Sequence, residues 1–312
     1  MRSVVITACT GRKRLPPAQG LRARDLAAGA LEHVAQDWLS RLGAADARVP
    51  AGWLYCGRAF AESVSAAQAI EAPLFIVSAG VGLIAAETPV PSYSLTVTPG
   101  SPDSILRKIQ TSSSASAWWA QIAALSAASE RLPAIAESYA GGLMLLALPS
   151  LYLSMVEEEL LELPQDVLAR LRFFGLGIRA RIDPRLEPLV MPYDGRLEDA
   201  ASRFRGTRSD FAPRALRHFA EVVLAELPNG SSDQHRVAVM KALATWSEPR
   251  TPKRPRISDE QVQELIRKHW SDVGGRSSRM LRLLRDDLSV ACEPGRFRAL
   301  FRLVRQEREA LP

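Results

Sequence analysis

Three short motifs in the first hundred residues carry the side chains best suited to chemistry. They are Cys9-Thr10-Gly11-Arg12-Lys13, Tyr55-Cys56-Gly57-Arg58-Ala59-Phe60, and Ser78-Ala79-Gly80-Val81-Gly82-Leu83 running on to Pro91-Ser92-Tyr93. The first and third follow runs rich in β-branched residues that indicate buried strands, Val4-Val5-Ile6 and Phe75-Ile76-Val77. Open α/β sheets build their sites from small and polar residues at strand ends, because loops converge there. The N-terminal half is therefore predicted to be an enzyme-like or nucleotide-binding domain.

A second group of chemically informative residues lies near the C-terminus. One predicted helix carries an apolar leucine stripe and the polar residues Arg276, Ser277, Ser278, Arg279, Arg282 and Arg285. The next predicted helix adds Arg296, Arg298, Arg302 and Arg305. A basic helix with hydroxyls near its start suits phosphate contacts and insertion into a groove, which predicts double-stranded DNA as a partner. The alternative is a basic helical hairpin that only caps the larger domain.

The charge distribution agrees with that division. The chain of 312 residues has a formal net charge of +6, and residues 248–312 carry 15 Lys/Arg against 10 Asp/Glu. The remaining residues are nearly neutral, so the basic character belongs to the tail. The three cysteines form no CxxC pair, and no signal-peptide or membrane-spanning pattern is evident. These features predict a cytoplasmic protein with no membrane association.

The elements that must position these residues alternate along the chain. Strands are expected at 3–8, 52–55, 74–78, 143–148, 172–176 and 187–192. Helices are expected at 25–42, 59–70, 115–130, 150–162, 165–171, 211–227 and 233–246. This alternation predicts an α/β fold with a mostly parallel sheet and helices on both faces. The predicted domain spans residues 1–246.

A basic segment with three prolines, 247–257, is predicted to be a linker. Residues 258–312 follow it as three short helices, the first opened by a capping box at Ser258-Asp259-Glu260-Gln261. Short helices joined by tight turns predict a small all-α domain resembling a helix-turn-helix unit.

The ordered set of motifs resembles a known prokaryotic family. The pattern consists of Cys9, Gly11 and Lys13, then Tyr55-x-Gly57-x-x-Phe60, then Ser78-Ala79-x-x-Gly82-Leu83 with Glu87, Pro91 and Tyr93. It resembles proteins with a uracil-DNA-glycosylase-like fold, related to YaaA-type peroxide-stress proteins and to the glycosylase-like domain of archaeosine transglycosylases. The resemblance covers residues 1–100 well and 140–220 loosely.

Together with the basic tail, the arrangement also resembles antiphage DNA glycosylases that remove glucosylated hydroxymethylcytosine from phage DNA. Two departures are evident. Glycosylases of this fold place an Asp or Asn after the first strand, and none stands in residues 9–14. Their later His-Pro-Ser motif is matched only by Leu148-Pro149-Ser150, without the histidine.

Cleavage of an N-glycosidic bond passes through an oxocarbenium-like sugar. A nearby carboxylate can stabilise its positive charge or orient the attacking water. The resemblance therefore makes Glu87, Asp194 and Asp210 the catalytic candidates. Each also has a structural interpretation. Glu87 fits a solvated loop, Asp194 fits a turn before Gly195, and Asp210 fits the N-cap of the next helix.

The remaining candidates concern binding. Flipped bases need donors and an aromatic or apolar wall, and phosphates need cations or backbone N–H groups. Expected substrate contacts are Thr10, Lys13, Tyr55, Ser78, Gly80, Tyr93 and Ser150. Expected DNA contacts are Arg12, Arg276, Arg279, Arg282, Arg285 and Arg296. Cys9 has no nearby histidine to activate it, and the four histidines lack metal-ligand spacing, so no metal site is expected. A water-using glycosylase needs no cofactor, so none is expected.

Three functions fit these residues. The first is a DNA glycosylase that removes a modified base from phage DNA in antiviral defence and leaves abasic sites. The second is a nucleotide-processing or base-exchange ribosyltransferase with an RNA-binding tail. The third is a non-catalytic DNA-binding regulator that senses a nucleotide. None of them calls for an obligate protein partner.

Overall fold

The chain forms two compact units, Met1–Pro249 and Arg250–Pro312. The structure is a computed structural model that describes residues 2–110, 113–249 and 255–309. We refer to the two as unit 1 and the tail unit. No helix among the described residues is long and apolar enough to span a membrane.

Unit 1 is built on a five-stranded, mostly parallel sheet. The strands of the unit are β1 (Val4–Ala8), β2 (Val49–Pro50), β3 (Leu74–Ser78), β4 (Gly82–Ala85), β5 (Pro89–Val90), β6 (Met144–Ala147) and β7 (Leu171–Phe173). The sheet has the order β4-β3-β1-β6-β7, and only β4 is antiparallel to its neighbour. Every residue of β1, β3, β6 and β7 is buried, as expected for parallel strands covered on both faces. The short β2 and β5 pair separately with each other.

Helices flank this sheet in two groups. The helices are α1 (Leu31–Gly43), α2 (Ala51–Leu54), α3 (Arg58–Ala69), α4 (Ala115–Leu125), α5 (Leu132–Ser138), α6 (Ser150–Leu161), α7 (Gln165–Leu168), α8 (Phe211–His218), α9 (Leu224–Glu226) and α10 (Ser232–Ala242). A π turn, Phe219–Val223, joins α8 to α9. The helices α3 and α8 pack on each other and contact β1 and β6, while α1, α4 and α6 pack together in another group. The predicted α/β fold with a mostly parallel sheet is confirmed.

Two predicted strands are wrong. Residues 52–55 belong largely to α2, where Pro50 precedes the helix at a position that needs no backbone N–H. Residues 187–192 begin with a 3-10 turn, Glu187–Leu189, and pair with the sheet only through the bridge Phe173–Val190. Pro188 has no N–H to donate to a ladder, which explains the loss of the strand.

Three strands were missed, namely β4 of the main sheet and the short pair β2 and β5. β4 returns antiparallel to β3 through a tight turn at Ser78–Gly82, and Gly82 has a φ of +100° that favours glycine. The alternation of helices and strands gave no sign of this hairpin, because the turn residues were interpreted as a site loop.

The described residues of the tail unit, 255–309, form three helices around their own core. They are α11 (Asp259–Lys268), α12 (Ser277–Arg282) and α13 (Pro294–Glu309), and a π turn at Leu283–Asp287 extends α12. The capping box predicted at Ser258 and Gln261 is present. Buried side chains from all three helices form the core, among them Val262, Ile266, Met280, Leu284, Phe297, Phe301 and Val304.

Candidate active site

The sheet has a topological switch point between β1 and β6, because later strands are added on opposite sides of this pair. From β1 the chain moves outward to β3, and from β6 it moves outward to β7 on the other side. Loops leaving such a pair of strands separate and open a crevice at the carboxyl ends. A pocket of about 360 Å³ lies there, which we call the sheet-edge pocket. Its lining consists of Thr7–Thr10, Ala59, Phe60, Ala147–Ser150, Gly175, Leu176, Ile178, Arg208, Ser209, Ala212 and Pro213.

Hydroxyl groups supply most of the neutral polar side chains of this pocket. The Thr10 hydroxyl lies 2.7 and 2.9 Å from the carbonyls of Arg12 and Cys56, which share its single proton, and so it ties the first motif to the second. The Ser209 hydroxyl is 2.9 Å from that of Thr207. The Ser150 hydroxyl has no hydrogen bond to any described residue. Ser150 is therefore the lining hydroxyl most available to a ligand.

Two helices begin at the pocket with uncapped N-termini. Gly57, with a φ of +105°, precedes α3, and Pro149 precedes α6, and neither position provides a side-chain cap. The first N–H groups of a helix lack intrahelical partners and carry the positive end of its dipole. Ala59 and Phe60 of α3 and Ser150 of α6 line the pocket, so both helix starts present donors at its wall. This arrangement suits an anion or a group that gains negative charge.

The second and third motifs meet in a buried hydroxyl network beside the pocket. The Tyr93 hydroxyl is 2.6 Å from that of Tyr55 and 2.5 Å from that of Ser78. Ser78 also accepts from the N–H groups of Gly80 and Val81. We call Tyr55, Ser78 and Tyr93 the tyrosine cluster. All three are at most 1% exposed, and burial raises the pKa of both phenols, so they remain neutral.

Lys13 links the first motif to the tyrosine cluster. Its ammonium lies 4.2 Å from the ring centre of Tyr93 and 5.4 Å from that of Tyr55, a cation–π arrangement. It also donates to the Thr10 carbonyl at 3.4 Å. Burial lowers the pKa of Lys13, and the nearby thiols of Cys9 and Cys56 partly oppose that effect. Lys13 therefore supports the Thr10 loop from behind and is not itself in the pocket lining.

The predicted substrate residues thus fall into two groups. Thr10 and Ser150 line the sheet-edge pocket. Lys13, Tyr55, Ser78 and Tyr93 form the buried support behind it. Gly80 belongs to that support as well, because a Cβ there would lie 2.5 Å from the Tyr93 ring, and its carbonyl accepts from Trp38 at 2.7 Å.

Asp210 is the predicted carboxylate that flanks the pocket, between lining residues Ser209 and Ala212. It is 3% exposed and accepts from the Thr207 N–H at 2.8 Å and from Arg214 at 2.6 Å. Arg58 of α3 lies 3.3 Å away. Burial by itself raises the pKa of Asp210, but these bonds outweigh it and hold the pKa below its usual value. The carboxylate is therefore ionised and cross-links α3 to α8 rather than carrying an exchangeable proton.

The other two predicted carboxylates are not brought to the pocket. Asp194 caps the turn Gly195–Glu198 and pairs with Arg196 at 2.9 Å; burial raises its pKa, but the bonds from Arg196 lower it overall. Glu87 is exposed and lies just beyond β4. Because β4 runs antiparallel to β3, Glu87 lies near the N-terminal ends of the parallel strands, at the opposite end of the sheet from the pocket.

The predicted DNA contacts differ in how freely their side chains are available. Arg276, Arg279 and Arg282 are exposed and make no ion pair or hydrogen bond with any described residue. Arg285 donates to the Cys292 carbonyl at 2.8 Å, and Arg296 pairs with Asp259 at 2.6 Å. In unit 1, Arg12 is exposed beside the start of α3.

The sequence did not predict three polar residues of the lining, Thr7, Arg208 and Ser209. Arg208 and Ser209 directly precede Asp210, and a basic residue followed by a hydroxyl before a helix was the available signal. Thr7 lies within β1, where nothing local distinguishes it from a core residue. Within the described part of the chain, no three His, Cys, Asp or Glu side chains come together as a metal site. Comparison with protein-family models, with curated proteins and with solved structures gives no match for this chain.

Proposed function

We propose that this protein is a DNA glycosylase. In this proposal a modified base, flipped out of the duplex, enters the sheet-edge pocket, where its N-glycosidic bond is hydrolysed, while the tail unit contacts the duplex. We further propose that unit 1 has the uracil-DNA-glycosylase-like fold that its motifs resemble, and that the tail unit acts as a helix-turn-helix-like module. The observation that carries the proposal is the convergence of the α3 and α6 N-termini and the Ser150 hydroxyl on one pocket.

The chemistry of base release supports that assignment. The leaving base gains negative charge as the bond breaks, and the sugar gains positive charge. Fixed N–H and hydroxyl donors aimed at the developing anion lower the barrier to breaking the C–N bond. Water then forms the new C–O bond to the sugar, and the proton that it loses neutralises the released base. Asp210 adds negative charge beside the pocket, although Arg58 and Arg214 offset much of it. The exposed Arg208 at the lining is suited to a phosphate of the flipped nucleotide.

The pocket also bears on which base is accepted. Its walls include the small residues Ala59, Ala147, Gly175 and Ala212, and its apolar surface comes from Phe60, Leu148 and Leu176. A volume of about 360 Å³ is within the range for small-molecule sites and accommodates a base with a substituent. A glucosylated hydroxymethylcytosine of phage DNA is our proposed substrate. Gly80 and Gly142 do not add to the volume of the pocket, since a Cβ on either glycine would clash with neighbouring protein atoms.

A second candidate function is favoured by one observation. No Asp, Glu or His is found among the described residues that line the pocket. A site that only recognises a nucleotide needs no such group. The alternative is therefore a non-catalytic DNA-binding regulator whose unit 1 senses a nucleotide.

A base-release assay separates the two candidates. Purified protein is incubated with unmodified DNA, uracil-containing DNA and phage DNA carrying glucosylated hydroxymethylcytosine, and abasic sites are revealed by alkali. We expect abasic sites in the modified DNA alone. Ser150→Ala is expected to slow release about a hundredfold, as loss of one charge-stabilising donor does in other enzymes. The matched control is Ser154→Ala, an exposed position on the same helix whose hydroxyl bonds only to Leu151. Folded protein that binds all three DNAs and releases no base would favour the regulator.

A further inference from the structure

Unit 1 contains a second, larger cavity. It has a volume of about 990 Å³ and opens between the α8–α9 segment and α10. Phe204, His218, Val223, Ala238 and Trp246 are among its lining residues. None of its lining residues belongs to the sheet-edge pocket. We call it the His218 cavity.

His218 is the buried polar group of this cavity. The side chain is 1% exposed, and its Nδ1 is 2.7 Å from the Tyr193 hydroxyl. Its other nitrogen, Nε2, bonds to no described residue. Within the described part of the chain, Ser104 Oγ is the fully buried side-chain polar atom that lacks a partner. Nε2 is not a fully buried atom without a partner, and the His218 ring forms part of the cavity wall. We infer from these two facts that Nε2 faces the cavity.

The Nε2 atom can form one hydrogen bond with a ligand in either tautomer. Burial, with a smaller contribution from the charge of Arg203, lowers the pKa of His218 to about 4, so the ring is neutral near pH 7. A neutral imidazole has one donor and one acceptor. If Tyr193 donates to Nδ1, Nε2 is a donor; if Nδ1 donates to Tyr193, Nε2 is an acceptor. The site therefore suits a ligand whose edge presents both kinds of group.

Aromatic rings surround that hydrogen-bonding atom. The centres of Phe204 and Trp246 lie 5.0 and 5.5 Å from the His218 ring, both in edge-to-face contact. The charged residues of the lining, Arg203, Glu226, Asp233 and Lys241, are all exposed and so lie toward solvent. A mostly apolar and aromatic wall with one fixed polar atom is typical of sites for uncharged planar ligands.

The backbone at the cavity is also unusual. The π turn Phe219–Val223 begins directly after His218, and Val222 and Val223 belong to the lining. Turns of this kind are rare and occur frequently at functional sites. The turn therefore supports a role for the cavity wall beyond helix packing.

We propose that the His218 cavity binds a nucleoside, with the base hydrogen-bonded to Nε2 of His218 and in contact with Phe204 and Trp246. A nucleobase is planar and carries both donors and acceptors on one edge, so it pairs with either tautomer. The cavity is larger than a base alone needs, which leaves room for the ribose. Its charged lining residues are exposed, so the cavity offers no buried cation to pair with a phosphate. The proposal does not depend on the glycosylase activity.

The test is calorimetric titration of the full chain with adenosine, guanosine, cytidine and uridine, with ribose 5-phosphate as a negative control. We expect at least one nucleoside to bind saturably with a Kd below about 1 mM. Ala238→Trp fills the cavity from α10 and is expected to weaken binding at least about tenfold, as is His218→Phe, which removes the bond. Ala225→Trp is the matched control, because Ala225 is exposed and lies outside the lining.

Two results would overturn the proposal. One is the absence of saturable binding for all four nucleosides to folded protein. The other is binding that persists in Ala238→Trp but disappears in Ser150→Ala, which would assign the nucleoside to the sheet-edge pocket. Base release by Ala238→Trp at the wild-type rate, with nucleoside binding lost, would separate this cavity from the glycosylase proposal.

Discussion

His218 makes the stability of unit 1 sensitive to acid. Its folded pKa of about 4 lies below the usual value of 6.5 that applies to the unfolded chain. The folded state therefore binds a proton less readily than the unfolded state. The resulting stability is fully present above about pH 6.5 and is lost as the pH falls toward 4.

The size of the effect follows from the two pKa values. At pH 5 the unfolded histidine is largely protonated, whereas the folded one is largely neutral. The difference amounts to about 1.5 pKa units, or about 2 kcal/mol of unfolding free energy lost between pH 7 and pH 5. His235 is also buried, and burial lowers its pKa, so it adds a loss of the same sign.

Urea unfolding at pH 7 and pH 5, followed by tryptophan fluorescence, measures this loss. Five of the six tryptophans lie in unit 1 and one, Trp270, lies in the tail unit, so the signal reports mainly on unit 1. His218→Phe retains an aromatic ring between Phe204 and Trp246 but cannot titrate. We expect it to lose about 2 kcal/mol less than the wild type on acidification, whatever its stability at pH 7.

The comparison isolates His218 from other groups. His235 remains in both proteins, and its contribution cancels. His33→Asn, which removes an exposed histidine on α1, is expected to behave as the wild type. Equal acid losses in wild type and His218→Phe would refute the reasoning, because they would mean that His218 titrates alike in the folded and unfolded chains.

Three further predictions concern packing, a buried cation and DNA binding. Arg172, 1% exposed, donates to His235 and to the carbonyls of Ala169, Leu171 and Gly230, and none of the described carboxylates pairs with it. Arg172→Met is expected to cost about 3 kcal/mol in urea unfolding, and an unchanged midpoint would contradict it. Gly142→Ala places a Cβ 2.1 Å from the Arg2 carbonyl oxygen and is expected to lower the free energy of unfolding by about 2 kcal/mol. The control Gly43→Ala, whose Cβ would meet nothing within 4 Å, is expected to leave the stability unchanged, and equal melting temperatures for the two variants would contradict the prediction. Replacement of Arg276, Arg279 and Arg282 by Ala is expected to reduce the salt slope of duplex binding by about three in fluorescence anisotropy. Arg267→Ala, which removes a partner of Glu307, serves as the control, and an unchanged slope in the triple variant would remove the α12 arginines from the interface.

Much of the fold was predictable because its signals are local. The buried runs that became β1, β3 and β6 are β-branched or aliphatic segments bounded by turn residues. The start of α11 was evident from the Ser258–Gln261 capping box, which satisfies N–H groups within one turn of the chain. The errors came from short segments. A run such as residues 187–192 is apolar enough for a strand, and a single proline decided against it.

The candidate site was only partly predictable, since its residues meet through long-range contacts. Sequence patterns placed Thr10 and Ser150 at strand ends, and topology brings them to one pocket because β1 and β6 are adjacent and parallel. No local sequence signal indicated that Asp210 would pair with Arg58, or that Glu87 would lie at the end of the sheet away from the pocket. Those outcomes depend on the direction of β4 and on the packing of α3 against α8.

The sequence by itself determined most of the helices and parallel strands, the basic tail and the hydroxyl and glycine residues that end the strands, because propensity, capping and charge act over a few residues. The tertiary structure alone decided which of those residues share a pocket and which support it. Tyr55, Ser78 and Tyr93 are conspicuous in the sequence as possible ligand contacts, yet packing buries their hydroxyls against one another. The free energy of a buried polar group depends on partners that come from distant segments, so its role is set only when the chain has folded.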